Sequence, residues 1–408
     1  MKKLSLLVIA LCITCGSASA QQALFGGQMP QSPEIHADKT VTFRCMAPGA
    51  QKVQITGDFL PTKQIDTPVG KYDAPGVADL VKDDKGVWSF TSTNLSPELY
   101  SYNLLLDGVK IVDPGSVYIT RDITSVTNIF ILSDKKGDCG DLYTVNEVPH
   151  GNVQKVWYDS PTLKMQRRMT VYTPAGYDKG KDYPVLYLLH GAGGDEDAWT
   201  TLGRASQILD NLIATGKAKP MVVVMTNGNP NCQAAPGEWS AGMYVPSFYG
   251  YQGAKAVATM DESFPDVMNY VESHYKVGKD KAHRAICGLS MGGGHSFDIS
   301  RRFPNKFDYV GLFSAGLHVG KTGDFRADFY KMLQEDEEAK QQLATLFKNK
   351  PKLYWIGMGK TDFLYKSTAD LRRYFDEKGY KYTYMETEGG HIWRNWRVYL
   401  TEFAQKIF

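Results

Sequence analysis

The fold of this chain is decided by residues 285–294, which read Ala-Ile-Cys-Gly-Leu-Ser-Met-Gly-Gly-Gly. They contain a Gly-x-Ser-x-Gly pattern, with a short apolar strand pattern before it and a helical pattern over residues 295–303 after it. So sharp a turn between strand and helix strains the serine backbone, and the glycines avoid a collision with neighbouring backbone. An ordinary glycine-rich turn is the alternative, but it does not explain the strand and helix on either side. The stretch therefore predicts that Ser290 is a nucleophile.

The chain around this stretch alternates between apolar runs and amphipathic segments. The runs at residues 183–189, 221–225, 285–287 and 353–356 are apolar on both faces, as the strands of a covered parallel sheet must be. Helical spacing of apolar residues follows at residues 264–275 and 371–375, and residues 396–403 suggest a closing helix. We therefore expect an α/β domain over residues 149–408.

A serine hydroxyl needs a base within hydrogen-bonding reach, and three histidines follow Ser290 in the chain. The order serine, acid, histidine that α/β-hydrolases share places the base near the C-terminus. His391 fits this order, because it lies in a glycine-rich loop directly after a strand pattern. His318 follows the serine too closely, and His295 belongs to the helix behind the turn, where a structural role is expected. His391 is therefore the predicted base.

The acid of the triad is expected between Ser290 and His391, at the end of a strand. Asp362 follows the apolar run at residues 353–356 in a glycine-containing loop, which leaves room for one helix and one strand before the base. Asp370 and Glu386 are the competitors, but the first lies in a helical pattern and the second in a strand pattern. Asp362 is predicted to hold the imidazole in the required tautomer and to stabilise its charged form.

Backbone donors for an oxyanion are expected at two places near the nucleophile. One is the N–H of Met291, directly after Ser290, and the other comes from the glycine-rich loop at residues 190–194, where Ala192 and Gly191 are the candidates. A phosphate-binding loop is the rival interpretation, but the Gly-x-x-x-x-Gly-Lys-Ser/Thr pattern is absent. No metal-ligand grouping such as His-Glu-x-x-His occurs, so the sequence implies no metal and no cofactor.

The N-terminal part of the chain has a different character. Residues 1–20 combine two lysines, a short apolar run and an Ala-x-Ala ending, which predicts a cleaved export signal; a lipoprotein anchored at Cys15 is the alternative. Residues 21–134 contain short alternating strands separated by Pro-Gly, Lys-Gly and Asp-Gly turns, which predict a β-sandwich. Residues 135–148 are predicted to form a linker. The predicted fold is thus an α/β-hydrolase domain preceded by a smaller all-β, immunoglobulin-like sandwich.

Composition sets wider bounds on function. The chain has 408 residues, a formal net charge of +2 and 43% hydrophobic residues, as expected of a globular protein. A balance so close to neutral gives no reason to expect a nucleic-acid partner, and the apolar run of the export signal is too short to span a membrane. Four cysteines remain after the signal, without metal-ligand grouping, and Cys287 is expected to be a buried small hydrophobe. The predicted location is periplasmic or extracellular.

These motifs together resemble the family 1 carbohydrate esterases, the esterase D-like group that includes feruloyl and acetylxylan esterases. The resemblance rests on residues 187–194 with 197–199, on 283–294, on 357–362 and on 389–393. It implies a triad at Ser290, Asp362 and His391, oxyanion donors at Ala192 and Met291, and hydrolysis of ester groups on plant xylan. The implied partners are feruloylated or acetylated xylan and xylo-oligosaccharides.

The N-terminal region resembles, more weakly, carbohydrate-binding module family 48, through residues 48–53 and 57–59. Such modules either bind glycan or only pack against the enzyme. Trp88, Tyr100 and Tyr102 have rings suited to stacking on a sugar, but core packing accounts for them equally well. No binding site is assigned to this domain.

Aromatic side chains in the loops of the α/β domain favour a feruloyl over an acetyl substrate, because they suit a pocket for a flat phenolic ring. The candidates for substrate binding are Trp199, Tyr249, Phe363 and Trp393, with Trp239, Tyr244, Phe248 and Tyr251 as further loop aromatics. Packing explains any single one of them as well. An acetylxylan esterase, a prolyl-type peptidase and a non-catalytic glycan-binding protein remain the alternatives.

Overall fold

Two domains make up the described part of the chain, which in this computed structural model comprises residues 29–67, 70–238, 256–320 and 327–408. The first is all β and the second is a mixed α/β domain. Both agree with the predicted fold class, which is confirmed. Within the described residues, no helix is both long and apolar enough to cross a membrane.

The N-terminal domain is a sandwich of short antiparallel strands. A four-stranded sheet in the order β1-β2-β8-β7 faces a sheet in the order β11-β12-β9-β3-β6, with β10 added on β9, while β4 and β5 form a separate hairpin. Burial alternates along β3, so that one face of the strand fills the core. The strands are β1 Glu34–Ile35, β2 Val41–Met46, β3 Val53–Gly57, β4 Lys63–Thr67, β5 Gly70–Ala74, β6 Gly76–Asp79, β7 Val81–Lys82, β8 Val87–Thr91, β9 Glu98–Leu106, β10 Val109–Ile111, β11 Ile119–Asp122 and β12 Ser125–Leu132.

The aromatic residues considered for sugar stacking belong to the core of this sandwich. Trp88, Tyr100 and Tyr102 are all buried among Phe43 and Phe130. Tyr102 also donates a hydrogen bond to the carboxylate of Asp113. Core packing therefore accounts for all three rings.

The segment predicted to be a linker contains an ordered helix, α1 (Cys139–Tyr143). Asp138 caps its N-terminus by accepting from the N–H of Asp141 at 2.8 Å. Tyr143 is 1% exposed and packs in a cluster with residues of both domains. The polar run around residue 135 thus supplies a helix cap and is followed by a buried aromatic anchor, and the assignment of residues 135–148 to a linker stays a prediction.

The C-terminal domain is built on an eight-stranded sheet within the described residues, in the order β13-β14-β16-β15-β17-β18-β19-β20. The six strands β15 to β20 run parallel to one another. β13 and β14 lie at one edge of the sheet and pair in the antiparallel direction. The strands are β13 Asn152–Ser160, β14 Met165–Thr173, β15 Val185–Leu189, β16 Val222–Thr226, β17 Arg284–Leu289, β18 Tyr309–Phe313, β19 Leu353–Gly359 and β20 Thr383–Thr387. The helices are α2 Ala198–Thr201, α3 Ala205–Ala214, α4 Met260–His274, α5 Met291–Arg302, α6 Phe329–Glu335, α7 Glu337–Lys348, α8 Tyr365–Lys378 and α9 Trp393–Ala404.

Helices cover both faces of this sheet, as expected for strands that are apolar on both faces. The helices α4 to α8 pack on one face, and α1, α2, α3 and α9 pack on the other. Local signals mark the ends of these helices: a capping box of Thr259 and Glu262 begins α4, and Gly379 in a left-handed conformation ends α8. Because β15, β17, β19 and β20 are parallel, their carboxyl ends meet at one edge of the sheet. The loops that follow these strands carry the predicted site.

The two domains share a buried interface. Leu99 and Ile129 of the sandwich belong to the same apolar cluster as α9 and α3. Arg397 of α9, which is 3% exposed, donates to Glu98 Oε1 and to the carbonyl of Leu99, both at 3.1 Å. A buried cation paired in this way fixes the orientation of the sandwich on the catalytic domain, since breaking the pair would leave a charge without compensation.

Candidate active site

Ser290 lies at the turn between β17 and α5 with φ 53° and ψ −115°, a conformation that non-glycine residues rarely adopt. Three backbone hydrogen bonds hold it there. Its N–H donates to the carbonyl of Phe313 at 2.9 Å, and its own carbonyl accepts from Gly294 at 3.0 Å and Gly316 at 2.8 Å. Such strain persists only where the surroundings over-determine the backbone, and here neighbouring elements on both sides do so.

The glycines around Ser290 are required by close backbone contacts. A Cβ atom on Gly292 would lie 2.5 Å from the carbonyl oxygen of Leu189, and one on Gly294 would lie 2.4 Å from that of Gly316. The strand β15 and the loop after β18 therefore pack directly against the first turn of α5. This agrees with the steric reason for which the sequence places glycines there.

His391 and Asp362 form a hydrogen-bonded pair at the same edge of the sheet. His391 Nδ1 lies 2.9 Å from Asp362 Oδ2 and 3.1 Å from Oδ1, and the Asp362 side chain is fully buried. The N–H of Leu364 donates to Oδ1 at 2.9 Å, and the N–H of Thr361 donates to the carbonyl of Gly389 at 3.0 Å. The two loops are thus tied together, so the carboxylate can hold Nδ1 protonated and leave Nε2 free to accept a proton.

The two competing acids are engaged elsewhere. Asp370 pairs with Lys366 on the surface of α8 at 2.8 Å, and Glu386 accepts hydrogen bonds from the hydroxyls of Tyr365 and Tyr384. Neither carboxylate is hydrogen bonded to His391. Of the three candidates, the structure brings Asp362 to the imidazole.

Within the described part of the chain, no hydrogen bond yet joins the Ser290 hydroxyl to His391. Catalytic hydrogen bonds are often long or misaligned without substrate and tighten in the complex. The carboxyl ends of β17, β19 and β20 bring the three residues to a common edge.

The loop at residues 190–194 passes directly over the nucleophile turn. A Cβ atom on Gly191 would lie 2.5 Å from Leu289 Cδ1 and 3.2 Å from Ser290 Cβ, so the loop approaches this turn closely. Ala192 follows at the exposed tip of the loop. The backbone N–H groups of Gly191, Ala192 and Met291 have no acceptor among the described residues. These three predicted oxyanion donors are therefore not engaged by the described part of the chain.

His190 fixes this loop, a role that sequence analysis did not assign. Its Nδ1–H donates to the carbonyl of Gly191 at 2.7 Å, and its Nε2 accepts from the N–H of Gly228 at 2.7 Å. With one ring nitrogen donating and the other accepting, the imidazole must be neutral. Burial lowers the pKa of His190, which agrees with that state. The signal in the sequence is a histidine directly between an apolar strand and a glycine-rich loop.

The predicted substrate-binding residues differ in exposure, and some lie outside the described part of the chain. Phe363 is 40% exposed, and its ring lies 4.5 Å from the imidazole of His391, so it borders the site. Trp393 is half-buried, with its ring edge-to-face on Trp199 at 5.3 Å. Tyr249 lies outside the described residues, as do Trp239, Tyr244, Phe248 and Tyr251.

The assignment of Trp199 to a pocket wall is corrected by its burial. It lies in α2, is 1% exposed and donates its indole N–H to the carbonyl of Leu189 at 2.9 Å. A large ring directly behind the end of β15 is needed to fill the core between the sheet and α9. Trp199 therefore supports the loop at residues 190–194 from behind.

Comparison with known proteins agrees with this geometry. The model of a family described as putative esterase matches residues 160–407. An endo-1,4-beta-xylanase/feruloyl esterase of Xylanibacter ruminicola is 30% identical over 387 residues, which cover 92% of this chain but 46% of that protein. The chain thus spans about half the length of that curated relative.

Solved structures extend the comparison. A family 1 ferulic acid esterase of Anaeromyces mucronatus is 26% identical with a TM-score of 0.50, covering 66% of this chain and 96% of that one. The enterobactin esterase of Shigella flexneri has a TM-score of 0.60 at 14% identity, covering 96% of this chain and 98% of that one, so the likeness in fold extends over both domains. The resemblance of the N-terminal domain to carbohydrate-binding module family 48 stays a prediction. Since the family model covers more than half of its length, the chain belongs to the esterase family, and its resemblance to the family 1 carbohydrate esterases is confirmed.

Proposed function

We propose that this protein is a serine esterase that releases ferulic acid from xylan through an acyl-enzyme on Ser290. The observation that carries the proposal is the strained turn at Ser290 at the same sheet edge as the hydrogen-bonded pair of His391 and Asp362. A relative named endo-1,4-beta-xylanase/feruloyl esterase, similar along 92% of this chain, supports the choice of substrate.

Acylation starts when the Ser290 oxygen attacks the ester carbonyl carbon and His391 Nε2 accepts the hydroxyl proton. Asp362 holds the Nδ1–H and stabilises the imidazolium that forms. The carbonyl oxygen becomes an oxyanion, which the N–H groups of Met291 and Ala192 bind, with that of Gly191 adjacent. The bond between the carbonyl carbon and the sugar oxygen then breaks, and His391 returns the proton to the sugar hydroxyl. A feruloyl ester of Ser290 remains.

Deacylation repeats these steps with water. His391 Nε2 takes a proton from the water as its oxygen attacks the acyl carbon, and the same N–H groups bind the second oxyanion. The bond to Ser290 breaks, ferulic acid leaves and His391 returns the proton to the serine oxygen. The ester and one water are consumed, ferulic acid and the sugar hydroxyl are formed, and Ser290 and His391 return to their starting protonation states, so protons and electron pairs balance.

The exposed ring of Phe363 supports a phenolic acyl group. It lies beside the imidazole that receives the serine proton, and a flat acyl chain bound to Ser290 must pass close to that imidazole. Stacking between aromatic rings contributes about 0.5–1.5 kcal/mol beyond the burial of area. An acetyl group is too small to use such a surface.

Substrate profiling tests the proposal. We expect the purified chain to release ferulate from feruloylated xylo-oligosaccharides with a kcat/KM at least about tenfold above that for acetylated xylo-oligosaccharides, and to leave a peptide anilide intact. Phe363→Ala should raise KM for the feruloyl substrate about threefold to tenfold through the lost stacking, with less effect on the acetyl substrate. Val153→Ala, on the exposed edge strand β13, is the matched control.

Other outcomes would select among the alternatives. A preference for the acetyl substrate would make the protein an acetylxylan esterase, and cleavage of the anilide would make it a peptidase. Binding of xylan without turnover of any ester would favour a non-catalytic glycan-binding protein.

Export is part of the proposal. Xylan is too large to enter a cell, so an enzyme that acts on it or on its fragments must meet it beyond the cytoplasm. The signal predicted at residues 1–20 supplies the route, and these residues lie outside the described part of the chain.

A further inference from the structure

One turn of the N-terminal sandwich reaches the loop that passes over Ser290. The strands β11 and β12 are joined by Ile123 and Thr124, since Asp122 pairs with Ser125. A Cβ atom on Gly193 would lie 2.9 Å from Ile123 Cγ1, so the isoleucine side chain packs directly on the backbone of Gly193. Gly193 follows Ala192 in the loop that carries the predicted oxyanion donors. The sandwich therefore contacts the site two residues from Gly191.

Arg121 makes a second connection between the same two segments. Its Nη1 donates to the carbonyl of Ile123 at 3.0 Å, and its Nη2 forms an ion pair with the carboxylate of Asp195. Asp195 is 4% exposed, and it also accepts from the N–H of Asp197 at 3.0 Å. One guanidinium thus joins the turn of the sandwich to a buried carboxylate at the end of the loop.

Asp122 lies between these two contact residues. Burial raises the pKa of its carboxyl, while the side chain of Trp393, at the start of α9, and the charge of Arg121 act in the opposite direction. Ile123 and Arg121 therefore carry the two direct contacts of the turn with the loop at residues 190–195.

The backbone at Ile123 shows that its side chain is needed. Its φ of 53° at the first position of a two-residue hairpin turn is where glycine is favoured, and a β-branched residue is a genuine outlier there. Such a conformation is costly and persists at functional sites where other contacts compensate for it. Here the compensation comes from Gly193, itself at φ 79°.

We propose that the turn at residues 121–124 is a positioning element of the active site, in which Ile123 and Arg121 hold the loop at residues 190–195 in the geometry that presents its N–H groups to an oxyanion. This rests on the proposed esterase function. A loop with glycines at positions 191, 193 and 194 has little stiffness of its own. Oxyanion donors act through preorganisation, and a displacement of about 1 Å can lower the rate about a hundredfold. The sandwich adds to the restraint that His190 and Trp199 supply from the α/β domain.

The test compares Ile123→Ala and Arg121→Gln with the wild type in the full chain. Each should lower kcat for methyl ferulate and for p-nitrophenyl acetate about tenfold or more and change KM less than about twofold, because the loss falls on the transition state. Arg121→Lys, which keeps a cation opposite Asp195, should retain more of kcat than Arg121→Gln. Val109→Ala is the control, since Val109 is 64% exposed on β10 at the other end of β9 from the interface.

Rates are expressed per active serine, counted by labelling with a fluorophosphonate, so that a misfolded fraction does not count as a loss of kcat. If Ile123→Ala and Arg121→Gln match Val109→Ala per labelled site, the positioning role is wrong although the esterase stands. If both variants raise KM with kcat unchanged, the turn binds substrate and does not position the loop. If the wild type hydrolyses neither ester, the proposed function itself fails, which is a different result.

Discussion

Two hairpin turns of the same sandwich are built in opposite ways. The turn between β9 and β10 consists of Asp107 and Gly108, both at positive φ, which is the residue pair that such turns favour. No atom would lie within 4 Å of a Cβ atom on Gly108, so this turn projects into open space. The turn between β11 and β12 instead places Ile123 at positive φ and packs it on Gly193. One turn follows local chemistry, and the other departs from it at a contact between domains.

The difference shows where backbone strain is placed in this molecule. Ser290 and Ile123 share a φ of 53°, lie on different domains and contact the same loop from two sides. Asp107 has a similar φ but is an Asp, a residue type that tolerates this region, and its carboxylate accepts from the N–H groups of Gln51 and Lys52. Other non-glycine residues at positive φ, such as Lys39, Lys164 and Lys350, lie elsewhere in the chain, but Ser290 and Ile123 both contact the loop at residues 190–194, whereas the turn at Asp107 lies away from it.

The largest expected effect comes from removing the side-chain hydroxyl of the strained residue Ser290. Ser290→Ala should lower kcat by a factor on the order of 10⁶, because no other hydroxyl replaces the nucleophile. Ser290→Gly should be equally inactive but more stable than Ser290→Ala by about 1 kcal/mol, since glycine relieves the positive φ. Turnover of methyl ferulate and urea unfolding measure the two effects.

Two results would break the comparison at this position. Activity retained by Ser290→Ala in a preparation free of other esterases would remove the nucleophile assignment. Equal stability of the Ala and Gly variants would mean that the turn stores no strain, and the likeness to Ile123 would then be geometrical only.

Signals that lie close together in the sequence predicted most of the catalytic domain. Ser290 is marked by its glycines, His391 by a glycine-rich loop after a strand, and Asp362 by the end of an apolar run. The structure has the strands β15, β16, β17 and β19 at the predicted apolar runs and joins His391 to Asp362 by a hydrogen bond. Local patterns suffice here because each residue occupies a recurring position at the end of a strand.

Contacts between distant segments were beyond such reasoning. Arg121 and Asp195 are separated by 74 positions, and no pattern near either residue in the sequence predicts its partner. Trp199 follows a glycine-rich loop, so its local pattern resembles that of a pocket wall, while its burial depends on α9 nearly 200 residues later. The helix within the predicted linker is a further example, since Tyr143 packs against residues that both domains supply.

The turn at Ser290 differs from both hairpin turns because two histidines, His190 and His295, lie behind it. This difference predicts that the free energy of unfolding depends on pH. Burial lowers the pKa of His295 to about 4, with Asp261 acting in the opposite direction. The pKa of His190 is lowered as well. Below about pH 6.5 the unfolded chain therefore binds protons that the folded chain does not, and the free energy of unfolding must fall as the pH falls towards 4.

Urea unfolding at pH 7 and pH 5 measures this effect. His295→Gln should reduce the loss of unfolding free energy between the two pH values by about 1–2 kcal/mol, an amount limited by the partial exposure of the imidazole. His274→Gln, on the exposed end of α4, is the matched control and should behave like the wild type. Identical losses in both variants would show that His295 is not held neutral by its surroundings.

The smallest effect separates the two hairpin turns most sharply, because the same substitution should act on different properties at each. Ile123→Gly loses packing on Gly193 but relieves the positive φ, so the free energy of unfolding should change by less than about 1 kcal/mol while kcat falls. Asp107→Gly loses two hydrogen bonds to backbone N–H groups without a compensating gain, so it should destabilise the fold by about 1 kcal/mol and leave kcat unchanged. Urea unfolding and methyl ferulate turnover should therefore show a loss of kcat with little loss of stability in Ile123→Gly, and the reverse in Asp107→Gly. If both variants instead lose stability and keep kcat, the strained backbone at Ile123 has no connection with catalysis. The turn would then only close a hairpin, and a change there would not be expected to alter kcat.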